Sequence, residues 1–355
     1  MVSFYLGKHR LSLNDNTFFI AEIGSNFDGD LNRAIDLIYL AKKCGADAVK
    51  FQHYTAESLV SDLGFKNLGG SFSHQKNWDD SVFKIYEKAS LNVSWTEKLY
   101  NASKDAGLIF FTSPYSMNLI DIVDPYLEAY KLGSGDITWI EIAEYMAKKG
   151  KPLLIATGAS NFNDVKRVYD SCYKINQKIV LMQCNTNYTI DRRNFKYINL
   201  NVLNLFKKEF PHAILGLSDH TPGHETVLGA VTLGARVIEK HFTDDKTRKG
   251  PDHTFAMDPK DWRQMVEATR NLEMSLGDGT KRVEKNEEET IILQRRSICA
   301  RKKIEFNSII NEDDLDYLRP FPEGAFAPYQ SDEIIGRKAN NEIEKGTIIL
   351  KSMLQ

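Results

Sequence analysis

The feature that most limits the possible folds of this chain is an eightfold alternation of short apolar segments and helical sequence. Each apolar segment has the length of a buried strand, ends in polar residues and is followed by residues at helical spacing. The predicted strands are residues 18–22, 46–52, 108–112, 127–132, 153–157, 179–184, 213–217 and a last segment that ends at 239–241. Eight such units over about 250 residues are typical of an α/β fold of the closed (β/α)8 type, the TIM barrel.

An open doubly wound sheet is the alternative architecture for the same alternation. No predicted strand leads into a Gly-x-Gly-x-x-Gly turn, which such sheets use to bind dinucleotides. Polar residues able to do chemistry follow nearly every strand, rather than one switch point in the sheet. Because all eight strand ends of a barrel open onto one mouth, this distribution favours the barrel.

A different pattern begins near residue 295, where short strand-like pieces are separated by turn signals. We therefore predict a catalytic barrel at residues 1–280, a charged linker or exposed helix at 281–294, and a small β-rich domain at 295–355. A domain of about 60 residues buries little apolar core. We expect it to dock onto the barrel or onto a second subunit.

Composition excludes several classes of partner. The formal net charge is -2 and 26% of the residues are charged, which gives no reason to expect nucleic acid or an anionic membrane as a partner. We find no leader sequence and no run of apolar residues long enough to span a bilayer. The four cysteines form no Cys-x-x-Cys pair, which suits a reducing compartment, and we expect a cytoplasmic protein.

Two histidines, His220 and His241, close two successive predicted strands. If these strands are neighbours in a parallel sheet, both imidazoles leave the same end of the sheet, about 4.8 Å apart, and can share a divalent metal ion. The downstream loop Gly250-Pro251-Asp252 can bring a carboxylate to them. A single histidine at a strand end more often bonds only to backbone, so the metal hypothesis depends on the pair.

Three lysines, Lys50, Lys131 and Lys240, lie inside strands predicted to be buried, where an unused charge is costly. Hydroxyl residues accompany them at the strand ends: Ser113, Ser134, Thr157 and Ser218. Lysines with hydroxyls suit a phosphate or carboxylate group, which points to an anionic substrate beside the metal. Structural pairing with Glu22, Glu239 or Asp219 is the alternative for any one lysine. A Schiff base on Lys131 or Lys240 is the rival mechanism.

The segment 55–79 interrupts the alternation after the second strand. It is polar, irregular and longer than an ordinary connection, and it contains Gly69 and Gly70. We expect a lid or a loop that faces the substrate.

Eight sequence fragments, in this order and at this spacing, resemble the sialic acid synthase family, which includes legionaminic and pseudaminic acid synthases. They are AEIGSN (21–26), ADAVKFQ (46–52), TSP (112–114), YKLGSGD (130–136), ATG (156–158), GLSDHT (216–221), EKHFT (239–243) and GPDH (250–253). The pieces RRS (295–297), LRP (318–320) and IGRKA (335–339) are similar to the antifreeze-like (SAF) domain of those enzymes.

The resemblance implies condensation of phosphoenolpyruvate with N-acetylmannosamine or a related N-acylated amino-sugar aldehyde, giving a nonulosonic acid and phosphate. It implies that Glu22, His220 and His241 are catalytic and that the two histidines hold a divalent ion, Mn²⁺ or Mg²⁺. Phosphoenolpyruvate would be bound by Lys50, Ser113, Lys131, Ser134, Thr157 and Ser218, and the sugar by Gln52, Asp136, Tyr188, Asp252 and Arg319. A homodimer is also implied, in which the small domain of one subunit covers the barrel mouth of the other and Arg319 contacts the acyl group.

The chain departs from the family pattern at three places. Asn26-Phe27-Asp28 stands where asparagine-histidine is usual, and Ala156 replaces a common serine, so that Thr157 would take over one phosphate contact. The run 320–324, PFPEG, alters the loop after Arg319. These differences concern the choice of sugar more than the reaction.

Overall fold

The structure is a computed structural model that describes residues 2–68, 75 and 78–355. The chain divides into two compact units, of which the first ends at Gly277 and the second is Asp278–Gln355. The first unit begins with an antiparallel hairpin, β1 (Ser3–Leu6) and β2 (His9–Ser12), joined at Gly7, which has a positive φ of 57°. This hairpin was not among the predicted strands, and it buries Phe4, Leu6 and Leu11.

Eight parallel strands close into a barrel, which confirms the predicted TIM-type fold. They are β3 (Phe18–Glu22), β4 (Ala48–His53), β5 (Ile109–Pro114), β6 (Tyr130–Leu132), β7 (Leu153–Ala156), β8 (Ile179–Cys184), β9 (Ile214–Asp219) and β10 (Val237–His241). Each strand pairs with the next in sequence, and β10 pairs with β3 to complete the ring. The strands carry almost only buried residues, because their outer faces pack against helices and their inner faces against one another.

The helices of the first unit follow the strands in the predicted order. Their bounds are α1 (Leu31–Lys43), α2 (Ala56–Leu59), α3 (Asp62–Asn67), α4 (Val82–Ala89), α5 (Thr96–Asp105), α6 (Met117–Val123), α7 (Ile140–Lys148), α8 (Phe162–Tyr173), α9 (Val202–Glu209), α10 (Glu225–Thr232) and α11 (Pro259–Leu276). In the described residues, no helix combines the length and hydrophobicity that a membrane crossing requires.

Helix α1 shows why these segments become helices. Asp30 caps its N-terminus by accepting hydrogen bonds from the amides of Asn32 and Arg33. Its buried side chains recur every three or four residues, at Ala34, Leu37, Ile38 and Ala41, so that one face packs on the barrel. The cap determines where α1 begins after β3, and the apolar stripe determines which face of the helix packs on the barrel.

The predicted lid at 55–79 is helical in part, since α2 and α3 lie within it. Residues 69–74 and 76–77, which include Gly69 and Gly70, lie outside the described residues. Whether this segment closes over the site stays a prediction.

The second unit contains one helix and one hairpin among its regular elements. Helix α12 (Glu288–Gln294) occupies the segment predicted as a linker or exposed helix. Strand β11 (Ser297–Ala300) pairs antiparallel with β12 (Leu315–Leu318). Other strand-like pieces of this unit, at 308–310, 343 and 347–350, form single bridges instead, such as Ile304 with Ile343. These short pieces surround a core that includes Ile298, Ile310, Leu315, Phe326, Ile334 and Ile349.

His53 provides a test of how burial shapes the stability of the barrel. Its side chain is fully buried at the end of β4, with Nδ1 2.8 Å from Thr112 Oγ1 and Nε2 2.8 Å from Thr96 Oγ1. Burial lowers the pKa of His53 to about 4. At pH values below the ordinary histidine pKa of about 6.5, His53 is therefore protonated in the unfolded chain but stays neutral in the folded chain.

We predict that His53 makes the unfolding free energy fall as the pH drops from 7 toward 5, by on the order of 2 kcal/mol. The substitution His53→Gln keeps a donor and an acceptor for the two threonines but does not titrate. Urea unfolding at several pH values should give a smaller pH slope for His53→Gln than for the wild type. Equal slopes would show that His53 is not the source of this dependence.

Candidate active site

Four buried charges lie together at the mouth of the barrel. Lys50 Nζ is 2.6 Å from Glu22 Oε2 and 3.5 Å from Glu239 Oε1, and Lys131 Nζ is 3.0 Å from the same Glu239 oxygen. None of the four side chains is more than 6% exposed. The strand register produces this arrangement, because Glu22 pairs with Lys50 on one side and with His241 on the other. Two lysines predicted to bind an anion are therefore adjacent.

The pKa values of these buried groups shift in different directions. Burial raises the pKa of Glu22 to about 7, since Lys50 offsets only part of the desolvation and Glu239 adds to the rise. Burial alone would raise the pKa of Glu239 too, but Lys131 and Lys50 outweigh it and hold that pKa low. Burial would lower the pKa of Lys50, yet Glu22 and Glu239 raise it. Glu22 is thus the group of this set that can exchange a proton near neutral pH.

From the sequence, Glu239 was expected only as a possible structural partner of a lysine. It was not among the predicted site residues. Its position two residues before His241 in one strand is the signal that would have found it. Side chains alternate between the two faces of a strand, so Glu239 and His241 share a face.

The same alternation corrects the prediction for Lys240. Its ammonium is 2.6 Å from Asp219 Oδ2 and donates to the carbonyl of Thr221. The Asp219 oxygen also accepts from the hydroxyl of Thr226 in α10, which places this pair among the helices and not at the mouth. Lys240 is thus a structural ion, and it is wrong as a candidate for substrate binding or for a Schiff base.

His220 and His241 lie side by side, with ring centroids 5.4 Å apart. His220 Nδ1 lies 2.9 Å from the carbonyl of Asn185 and so carries the hydrogen, which leaves Nε2 as the nitrogen with a free lone pair. Burial lowers the pKa of His220 to about 4, and it lowers the pKa of His241 as well. Both rings are therefore neutral at pH 7, which is the form that binds metal.

The pair fits a divalent ion by its donor chemistry. His241 Nδ1 is buried and has no hydrogen-bond partner among the described residues. With metal–nitrogen distances of about 2.1 Å, two rings at this separation can flank one ion. In the described part of the chain, no group of three or more His, Cys, Asp and Glu side chains converges on a possible metal position. The predicted carboxylate, Asp252, has Oδ2 4.0 Å from His241 Nδ1.

Asp252 is fixed beside His241 by the loop after β3. Its Oδ2 accepts hydrogen bonds from the amide and the hydroxyl of Ser25, at 3.0 and 2.8 Å. Gly24 has a positive φ of 55°, and a Cβ atom there would lie 2.5 Å from Asp252 Oδ2 and 3.3 Å from the His241 ring. Only glycine fits this close approach.

The predicted hydroxyl residues divide into two groups. Ser113 Oγ is 3.4 Å from Lys50 Nζ, and Ser134 Oγ accepts from the amide of Gly158 at 3.0 Å. Ser218 is buried in β9. Thr157 differs, because its hydroxyl donates to the carbonyl of Met182 at 2.9 Å. In this arrangement its hydroxyl proton is taken by the backbone, and a contact between Thr157 and a phosphate stays a prediction.

Cys184 lies among these serines and was predicted only as one of four widely spaced cysteines. The hydroxyls of Ser134 and Ser218 hydrogen-bond to its sulfur, while burial raises the pKa of the thiol. Cys184 also pairs with Ser218 across β8 and β9. It is a neutral thiol packed at the edge of the charged cluster.

Three of the predicted sugar residues lie around the mouth of the first unit. Gln52 Nε2 donates to Glu22 Oε1 at 2.7 Å, and the ring of Tyr188 lies 4.4 Å from that of His220. Burial raises the pKa of Asp136, which follows β6, to about 6. Arg319 is exposed just after β12 in the second unit, and its part in a sugar site stays a prediction.

A wide cleft opens beside Tyr188 and Phe255, whose rings pack against the two histidines. It has a volume of about 1200 Å³ and is lined by Tyr188, Arg193, Lys196, Arg248 and Phe255, among others. A smaller cavity of about 80 Å³ connects Gln52, Tyr188, His241 and Asp252. The cleft and the cavity share Tyr188 and Pro251, so a molecule in the cleft lies next to the cavity that His241 lines.

Comparisons with known proteins agree with this geometry. A model of the NeuB family matches residues 37–281, and a SAF domain model matches residues 295–355. The chain is 32% identical over 337 residues to N,N'-diacetyllegionaminic acid synthase of Campylobacter jejuni, covering 94% of this chain and 98% of that protein. It is 29% identical to human N-acetylneuraminate-9-phosphate synthase over 338 residues, covering 95% and 92%.

A solved structure shows the same relationship in three dimensions. The N-acetylneuraminic acid synthetase of Leptospira borgpetersenii, crystallised with citrate, has a TM-score of 0.71 and 26% identity, covering 81% of this chain and 95% of that one. The family match spans most of the chain and includes seven of the eight barrel strands. The chain belongs to the NeuB family and ends in a SAF domain.

Proposed function

We propose that the protein condenses phosphoenolpyruvate with an N-acylated amino-sugar aldehyde, giving a nonulosonic acid and inorganic phosphate. The observation that carries this proposal is the adjacency of two half-sites at one barrel mouth. Lys50 and Lys131 form a buried cationic pair fit for an anion, and His220 and His241 form a neutral pair fit for a metal. The relatives that share the family make products of this class.

Phosphoenolpyruvate fits the lysine half-site by charge. Its phosphate and carboxylate need several donors, which Lys50, Lys131 and the hydroxyls of Ser113, Ser134 and Ser218 supply. Before the substrate arrives, Glu22 and Glu239 act as counterions for the two lysines. A bound anion adds negative charge beside Glu22 and raises its pKa further, so that Glu22 takes up a proton as the substrate binds.

The acceptor sugar occupies the other half-site. A divalent ion held by His220 and His241 would polarise the aldehyde oxygen when bound. Asp252, Gln52 and Tyr188 line the small cavity next to His241 and can hold sugar hydroxyls, and Asp136 is a further candidate. The adjoining cleft has room for an extended acceptor chain.

The reaction then requires one new carbon–carbon bond and the loss of phosphate. C3 of phosphoenolpyruvate attacks the aldehyde carbon, whose oxygen takes a proton, and water adds to the resulting cationic C2. The C2–O bond to phosphate breaks as the 2-keto group forms. Glu22 positions the water or the intermediate and exchanges its proton, because its pKa lies near 7.

The Schiff-base alternative finds no support in the described site. Lys240 is paired with Asp219 among the helices, and Lys131 is paired with Glu239. Attack on a carbonyl by either lysine would break its ion pair and leave a buried carboxylate without its partner. The sugar itself stays open between N-acetylmannosamine, its phosphorylated form and a 2,4-diacetamido sugar of the legionaminic or pseudaminic type.

We further propose that the protein is a cytoplasmic homodimer in which the SAF domain of one subunit covers the barrel mouth of the other. Arg319 would then contact the acyl group of the sugar. The support for this arrangement is the family resemblance and the small core of the second unit.

The proposed reaction predicts phosphate release only when both substrates are present. The purified protein with phosphoenolpyruvate and Mn²⁺ should release phosphate with at least one aldehyde from a panel of N-acetylmannosamine, its 6-phosphate and diacetamido sugars. Chelation should abolish release and Mn²⁺ should restore it. His241→Ala should lower the rate more than about 100-fold, since losing an outer-shell partner alone costs 10- to 100-fold.

No release with any acceptor would remove the proposed function. Release that survives both chelation and His241→Ala would instead remove the metal from it.

Gly24 offers a test of the position of Asp252 with a matched control. Gly24→Ala places a methyl group 2.5 Å from Asp252 Oδ2, so Asp252 and His241 must move apart. Gly29→Ala imposes similar backbone strain, at a φ of 72°, but meets no atom within 4 Å. We predict that phosphate release falls at least about tenfold in Gly24→Ala and stays near the wild-type rate in Gly29→Ala.

Thermal unfolding should show similar stability losses for the two variants. Equal rates of phosphate release in both variants would show that the contact between Gly24 and Asp252 does not matter for activity.

A further inference from the structure

Asp28 connects two loops at the barrel mouth that are more than 200 residues apart in sequence. Its Oδ1 lies 2.8 Å from His253 Nε2, and its Oδ2 lies 2.8 Å from Arg248 Nε and 3.2 Å from Arg33 Nε. A carboxylate that accepts from His253 fixes the hydrogen on Nε2, which leaves Nδ1 for the hydroxyl of Thr243 at 2.8 Å. Both Arg248 and His253 belong to the loop after β10.

The loop after β10, residues 244–255, also carries Asp252, the residue held beside His241. Two further contacts join this loop to the segment after β3. The hydroxyl of Ser25 donates to Asp252, and Arg33 forms a bidentate ion pair with Asp244. Asp28 lies between these contacts, and its two partners in the 244–255 loop, Arg248 and His253, flank Asp252 in sequence.

The backbone at Asp28 suits this role. Its φ is +53°, in the left-handed region that asparagine, aspartate and glycine tolerate best. An alanine there would add backbone strain to the loss of the side chain, whereas glycine removes the side chain without strain. Asparagine would keep an acceptor for His253 but lose the charge that pairs with Arg248.

We propose that Asp28 is a positioning residue for the acceptor sugar: it holds the 244–255 loop so that Asp252 stays beside His241. This inference rests on the proposed function for its kinetic consequence, but not for the contact itself. The side chain of Arg248 is 42% exposed, so its pair with Asp28 adds little to overall stability. His253 is fully buried, so Asp28→Gly, which removes its acceptor, leaves the Nε2–H unpaired and lowers the stability of the fold. Beyond this stability cost, the effect of Asp28 should appear in acceptor binding and in the motion of the 244–255 loop.

Binding of phosphoenolpyruvate at the lysine half-site serves as an internal control. It distinguishes a local effect on the 244–255 loop from a general loss of structure. Within the described part of the chain, Lys50 and Lys131 form no hydrogen bond or ion pair with the 244–255 loop. Their partners are Glu22, Glu239 and Ser113. Loosening the loop should leave the binding of phosphoenolpyruvate intact.

The test compares Asp28→Gly, Asp28→Asn and the control Asp30→Asn in the full-length protein. Asp30 lies in the same loop and caps α1, and asparagine also caps well, so this control removes a charge without removing a contact. In Asp28→Gly the KM for the acceptor should rise about tenfold, while the KM for phosphoenolpyruvate stays within about twofold. Asp28→Asn should recover part of the loss, and Asp30→Asn should match the wild type.

Hydrogen–deuterium exchange of peptides covering residues 244–255 gives a readout that needs no activity. Exchange should be faster in Asp28→Gly than in the wild type, intermediate in Asp28→Asn and unchanged in Asp30→Asn. Unchanged exchange in Asp28→Gly would overturn the proposal, and so would equal changes in the two KM values. If the wild type releases no phosphate with any acceptor, the proposed function fails, and the exchange result alone decides whether Asp28 holds the loop.

Discussion

Lys50 and Lys131 share the carboxylate of Glu239 inside the barrel, where no side chain of the three is more than 6% exposed. Moving charges out of water costs several kcal/mol each, and removing one partner of a buried pair costs about 3–5 kcal/mol. Buried lysines that bind an anionic substrate therefore need carboxylate counterions when no substrate is bound. Glu239 stays ionised for this purpose, whereas Glu22, with a pKa near 7, can give up its charge when an anion arrives.

Burial also affects the histidine pair, but it lowers the pKa of these two side chains, whereas it raises that of Glu22. Desolvation lowers the pKa of both rings, so that neither carries a positive charge at neutral pH. The backbone carbonyl of Asn185 fixes the tautomer of His220, and Gly24 lets Asp252 approach His241. One end of the barrel thus holds two buried lysines, on β4 and β6, and two neutral histidines, at the ends of β9 and β10.

The barrel and most of its inward-facing residues could be predicted because a strand of period two and a helix of period 3.6 leave clear patterns. The same period applied to β10 places Glu239 beside His241 and turns Lys240 outward, so the sequence alone contains the positions of both residues. Thr157 is different, because nothing in the sequence shows that its hydroxyl bonds to Met182. The contacts of Asp28 and Ser25 with the 244–255 loop also needed the structure, since they join residues more than 200 positions apart.

A crystal structure of the protein with phosphoenolpyruvate, in the absence of an acceptor, tests the central claim most directly. The account predicts that the substrate lies in the barrel mouth, with its phosphate or carboxylate oxygens within hydrogen-bonding distance of Lys50 Nζ and Lys131 Nζ. Density for phosphoenolpyruvate outside the barrel mouth, or a carbon atom covalently joined to a lysine nitrogen, would contradict it.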